Sequence, residues 1–268
     1  MRILRLGPLF AFILLFSVTS MQGQQPSPSP TPTRDPQALT ILTQCLQASG
    51  GSQAISAIQD FTASGSITFY WAGNQVQGSV TVKGRGLTEF RMDGSVSNGI
   101  RSFVVDGSNG SVKDIDGATR TIPSDDLVYL ASPTFPATQV VLALQDTSAN
   151  ITFVGLVNHN GRQVDDVRVQ KAYDKTTDPL GFRTKLATRD FFVDPNTFEI
   201  LSSQDNAHPK DNISETCPHE MQFSNYQSTS GVLVPFAITE TVCGQTTANI
   251  TLNQIAFNTG LTDSDFQQ

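Results

Sequence analysis

Charge, histidine, cysteine and long apolar runs are all scarce in this chain, and each shortage removes a class of protein. Charged residues make up 15%, with 17 basic against 24 acidic for a net charge of −7. A surface of that sign repels phosphate backbones and anionic membrane faces, so no nucleic-acid partner is expected. Only three histidines are present, and no G-x-S-x-G turn accompanies them, which leaves a serine hydrolase without its usual base and nucleophile elbow. His159 falls in a turn, and His208 and His219 lie in or beside the polar stretch Ser203 to Glu220; each reads as exposed or locally hydrogen-bonded. The three cysteines include no C-x-x-C pair. The apolar run Leu9 to Phe16 is far shorter than the ~20 residues that span a bilayer.

What is present begins with an export address. Arg2 and Arg5 precede that apolar run, and Val18-Thr19-Ser20 offers small residues for a signal peptidase, so residues 1–20 are expected to be a signal peptide. The protein is then periplasmic or extracellular, and losing two arginines takes its net charge to −9. Gln24 to Pro36 reads QQPSPSPTPTRDP, a tract that buries nothing; residues 21–36 are assigned as a linker without structure. No cysteine stands at the cleavage point to carry a lipid anchor. Residues 37–268 are expected to form a single domain with 17 Phe in the chain to build its core.

In an oxidising compartment, Cys217 and Cys243 are expected to pair, because their midpoint falls at the Ser228-Thr229-Ser230-Gly231 turn of a hairpin. Cys45 lies on the apolar stripe of a helix and reads as core. A metal site drawing on Cys217, His219, His208 and Cys243 lacks the usual ligand spacing, so neither a metal nor a cofactor is expected.

Periodicity supplies the fold. Asp35 and Pro36 start a helix whose buried stripe is Ala38, Leu39, Ile41, Leu42, Cys45 and Leu46, and Gly50-Gly51 ends it; a further short turn covers Ser52 to Ile58. From Phe61 the period becomes two: Phe61, Ala63, Gly65, Ile67, Phe69 and Trp71 alternate with small polar residues, and the pattern returns at Val76, Gly78, Val80 and Val82. Further strands are expected at Leu87 to Met92, Gly99 to Val105 and Ser111 to Ile115. Helical spacing returns behind Ser124 and again from Ala137 to Gln145. Strands then resume in a hairpin turning at Asn160-Gly161, another turning at Asp194-Pro195-Asn196-Thr197, and three at Met221 to Tyr226, Val232 to Val242 and Ala248 to Phe257. A bulge between Leu252 and Ile255 would explain a phase change there.

The expected fold is therefore mainly β: a curled antiparallel sheet of ten or more strands forming an incomplete barrel, covered or plugged by a few short helices. In this pattern, Tyr226, Gly231 to Phe236, Ile250 to Asn258, the closing Leu261 to Phe266 and the Val193 to Thr197 hairpin resemble the LolA-like lipoprotein-carrier superfamily of bacterial envelopes. That resemblance implies an apolar half-barrel cavity sheltering acyl chains and a possible envelope-protein partner. Phe69, Trp71, Phe90, Met92 and Phe236 are the candidate lining, with plain core packing as the competing reading; Trp71 near its strand end could also be a rim residue. Asp125-Asp126 and Asp165-Asp166 have ordinary explanations as a helix start and a two-faced strand, so glycosidase chemistry is not expected. The reading is an exported, non-enzymatic binder of a lipid or acyl chain, with a filled envelope scaffold as the alternative and a secreted hydrolase behind both.

Overall fold

The computed structural model describes residues 31–71, 73–107, 109–122, 133–171, 173–207 and 216–268. The leader, the helix expected behind Ser124, and His208 lie outside these. Among the described residues, one sheet of thirteen antiparallel strands carries the fold, and it is not closed into a barrel. Its strands are β1 (Asp60–Trp71), β2 (Asn74–Arg85), β3 (Glu89–Val96), β4 (Gly99–Asp106), β5 (Asn109–Lys113), β6 (Thr119–Ile122), β7 (Ala149–His159), β8 (Arg162–Lys171), β9 (Thr188–Val193), β10 (Ile200–Ala207), β11 (Cys217–Thr229), β12 (Val232–Val242) and β13 (Gln245–Phe257).

The order β6-β5-β4-β3-β2-β1-β13-β12-β11-β10-β9-β8-β7 shows two meanders joined through the first and last strands. β6 and β7 therefore stand at opposite edges although they are neighbours among the strands along the chain. Helix α3 (Pro136–Gln145) belongs to the connection between them. At its start, Phe135 packs edge-on against Phe61 of β1 at 5.8 Å and stacks with Phe257 of β13 at 6.2 Å. Helix α1 (Pro36–Ala48) lies against α3, β7 and β8. It begins where expected, with the Asp35 carboxylate accepting from the Gln37 amide at 2.8 Å. Its buried face is Ala38, Ile41, Leu42, Cys45 and Leu46, and burial raises the Cys45 thiol to about 12 despite its backbone hydrogen bond.

The last residues of the Pro/Ser/Thr tract differ from the expectation that the whole tract lacks structure. Thr33 and Asp35 bracket Ile151 of β7 through backbone hydrogen bonds, and Arg34 donates to the Asp146 and Leu144 carbonyls at 2.9 Å. Those carbonyls end α3, so a guanidinium satisfies acceptors that the helix leaves open. Three short elements have no counterpart in the sequence reading: β6, whose four residues include one apolar side chain, helix α4 (Phe182–Leu186) in the β8–β9 connection, and a 3-10 turn at Asp263–Phe266.

Curling has a local cause. A Cβ at Gly65 would meet the Thr251 carbonyl at 2.0 Å, and one at Gly78 would meet the Ser95 carbonyl at 1.9 Å. Only glycine permits backbones to approach that closely at a bend. The expected bulge in the last strand is present: Ser64 pairs with Gln254 and Gly65 with Leu252, leaving Asn253 as the extra residue. One face of the sheet, here the inner face, carries the core with Phe61, Ile67, Val80, Val82, Phe90 and Phe191. On the outer face the C-terminal segment is strapped down by Asp60, whose carboxylate accepts from Thr259, Gly260 and Leu261 amides.

Candidate functional site

The pairing register brings one end of every hairpin to a common rim. Trp71 and Asn74, Val96 and Gly99, Lys113 and Thr119, Val242 and Gln245, Ala207 and Cys217, and Gln170 and Thr188 are paired at that end. The inner face just inside the rim is the candidate site.

Its aromatic part sits on β1. Phe69 is 3% exposed and stacks on Trp71 at 5.2 Å, whereas Trp71 is 38% exposed. The Phe69 ring occupies the notch left by Gly94 of β3, and the Arg101 guanidinium of β4 lies 5.7 Å from the ring centroid. Arg101 also donates to Asp114 at 3.1 Å. Val76, Met92, Phe103 and Ile115 are partly buried apolar residues packed on the core in the same half of the sheet. Phe90 is fully buried and meets Phe103 at 5.9 Å; Phe236 is 7% exposed on β12.

The five sequence candidates thus divide. Phe69, Phe90 and Phe236 are buried in the continuous core, Trp71 meets solvent at the rim, and Met92 is half-buried in the middle of β3, where it pairs with Val82 and Phe103.

A polar belt completes the rim, and it was not read from the sequence. Arg189 of β9 pairs with Asp205 of β10, which accepts from His219 Nδ1 of β11 at 2.7 Å; His219 Nε2 donates to Glu240 of β12 at 3.2 Å, and Glu240 accepts from Thr247 at 2.6 Å. Ionised carboxylates only accept, so two such partners require hydrogens on both ring nitrogens, and His219 is an imidazolium. Burial disfavours that charge, but Asp205 and Glu240 outweigh it and raise the His219 pKa to about 10. Burial likewise disfavours the Asp205 carboxylate, and His219 and Arg189 overcome this to hold it well below the usual range. Burial opposes ionisation of Glu240 as well, and His219, with smaller help from Thr247 and Arg101, holds its pKa below the ordinary value.

One sequence signal existed for the belt. Arg189, His219 and Glu240 stand in phase with the core residues Phe191, Met221 and Ile238, where alternation calls for apolar side chains.

Immediately beside the belt, Cys217 and Cys243 form the expected disulfide, with Cα atoms 4.9 Å apart. Both cysteine thiols of the metal set considered from the sequence are thereby bridged. Among the described residues, no group of three or more His, Cys, Asp and Glu is arranged to hold a metal.

His159 belongs to a different cluster, on the outer face. Its ring stacks on Phe192 at 3.6 Å and its Nε2 donates to Glu220 at 2.7 Å. Asp166 is buried nearby, and burial followed by the Asp190 charge raises its pKa to about 6, with Arg168 and His159 opposing.

Among the described residues, no helix is long and apolar enough to cross a membrane. No family model matches the sequence, and no curated protein matches it. Solved structures do match the fold. A domain named for outer-membrane lipoprotein sorting from Vibrio parahaemolyticus aligns with a TM-score of 0.53 at 11% identity, covering 85% of this chain and 95% of that one. A LolA superfamily protein from Nitrosomonas europaea aligns at 0.52 with 10% identity, covering 86% and 97%. A DUF1329 family protein from Desulfovibrio piger gives 0.52 and 11%, with the same coverage. At these identities the likeness is one of architecture, and this chain carries the LolA-like fold.

Proposed function

We propose that the protein is an exported, non-enzymatic binder of a hydrophobic ligand, a lipid or acyl chain held on the inner face behind Trp71. The observation that carries this reading is the incompletely covered apolar surface of the inner face: Trp71 is 38% exposed at the rim, and Val76, Met92, Phe103 and Ile115 are only partly buried, on a sheet that stays open. Apolar surface left at the concave side of a sheet is where a greasy guest gains most. Each methylene removed from water contributes about 0.8 kcal/mol, so roughly ten of them supply micromolar retention without a charged contact. The lipoprotein-sorting name of one structural neighbour agrees with such a role.

The signal-like leader supports export, and the Cys217–Cys243 bridge suits an oxidising compartment. A filled scaffold is the second reading, favoured by the burial of Phe69, Phe90 and Phe236 at 3%, 0% and 7% exposure.

Titrating delipidated protein with a fluorescent long-chain acyl probe separates the two. Saturable binding that quenches Trp71 emission, and that weakens about tenfold or more in Met92→Asp, is expected. A linear, unsaturable signal identical in Met92→Asp would leave the scaffold reading standing.

A further inference from the structure

Six large apolar side chains are exposed among the described residues, and four of them, Trp71, Ile100, Leu180 and Phe182, belong to the rim end of the sheet. Leu180 is 75% exposed and Phe182 37%, on the β8–β9 connection Asp178-Pro179-Leu180-Gly181-Phe182. Single exposed apolar residues are ordinary on a surface, but this tip is built. The Asp178 carboxylate, itself 7% exposed, accepts from the amides of Arg183 at 3.1 Å and Thr184 at 2.9 Å and from the Thr184 hydroxyl at 2.8 Å. Asp174 accepts from the Thr176 amide and hydroxyl at 2.7 and 2.6 Å. Both carboxylates of the segment are therefore engaged in turning the chain.

The bases are placed differently. Lys175 and Lys185 are exposed, and Arg183 lies over the Tyr173 ring at 4.4 Å. Between residues 171 and 188, Lys171, Lys175, Arg183 and Lys185 stand against Asp174 and Asp178, a local charge of +2 in a chain of −7. Repulsion from the distant acidic surface is screened beyond about 8 Å at physiological salt, so the local sign governs contact. An apolar tip flanked along the chain by two exposed lysines is the chemistry that engages an anionic bilayer: apolar side chains enter the interface while ammonium groups meet phosphates.

We propose that the β8–β9 tip docks the protein on an anionic lipid surface, with Leu180 and Phe182 entering the interface and Lys175, Arg183 and Lys185 meeting the headgroups. This goes beyond ligand binding and does not depend on it, because docking requires no occupant on the inner face. Its consequence is directional. The rim with Trp71 is brought to the membrane, and the free-edge residues Val154 and Leu156 of β7 are left away from it.

The test is co-sedimentation of the exported, delipidated protein with phosphatidylcholine vesicles, with and without phosphatidylglycerol, at low and high salt. Expected are binding to the anionic vesicles only, release by salt, and a blue shift of the single Trp71 as the rim approaches lipid. Leu180→Asp should lower partitioning roughly tenfold or more. Lys175→Glu with Lys185→Glu should lower it at low salt, and Leu156→Asp should leave it unchanged. Because Leu180 packs little in the folded chain, its replacement tests docking and not folding. Absence of binding, equal binding to both vesicle types, or equal loss in Leu180→Asp and Leu156→Asp would overturn the proposal.

Discussion

The ring of Phe69 lies where a side chain at Gly94 would have to be: a Cβ there would fall 2.8 Å from two ring carbons, although β2 separates the two residues' strands. The notch lets the sheet bend while keeping an aromatic column at the rim, with Trp71 stacked on Phe69 and Arg101 beside it. Gly94→Ala must displace the ring, an overpacking that costs about 1–3 kcal/mol. A lowered Tm together with a shifted Trp71 emission spectrum is expected. An unchanged spectrum would mean that the column does not transmit the displacement.

The belt makes stability depend on pH in a stated direction. His219 has a folded pKa of about 10, above its ordinary 6.5, so its contribution is fully present below 6.5 and is lost as pH rises towards 10. Asp205 acts in the opposite sense, its contribution disappearing in acid below its ordinary 3.8. Thermal melts should show Tm falling between about pH 6.5 and 10, with a flatter profile in His219→Gln. Removing the imidazolium leaves two carboxylates facing each other, and a cost of roughly 3 kcal/mol near neutral pH is expected. A wild-type profile that is level through this window would show that the Asp205–His219–Glu240 chain contributes little.

Asp166 is a reservoir of instability. Its raised folded pKa of about 6 means that folding favours its protonated form, so stability falls as pH rises from 3.8 through 6. Asp166→Asn removes the charge without removing the shape. The variant should match the wild type near pH 4 and exceed it in Tm at about pH 8. Equal Tm values at both would show that the buried carboxylate is stabilised by its surroundings after all.

The disulfide fixes the rim end of the β11–β12 pair. Cys217 and Cys243 are 26 residues apart, and closing such a loop contributes about 3 kcal/mol in the chain-entropy model. Replacing both by Ala, or adding reductant, should lower Tm by roughly 6–12 °C. Identical melts with and without reductant would place the bond outside the stability of the domain.

Much of this architecture is written locally in the chain. Strand β12 runs from Val232 to Val242 as its alternation requires, Asp35 caps α1, and the phase change after Leu252 is a bulge at Asn253. These features depend on neighbours in sequence. The pairing of β1 with β13, which turns two meanders into one sheet, joins Phe61 to Phe257 and has no local signature. The same separation hid the belt, whose charges come from four strands and make sense only when adjacent. Burial was legible only in part: the strand end marked Trp71 as a rim position, but nothing local separated lining from core at Phe69, Phe90 and Phe236, which are all buried.

The most direct test is native mass spectrometry of the exported protein, purified without detergent from cells and compared with the same protein after solvent extraction. A carrier should show an added mass in the range of a lipid or fatty acid, removed by extraction and restored by incubation with membranes. Repeated spectra containing only the bare polypeptide, even after such incubation, would contradict ligand binding and leave a fold with a filled interior.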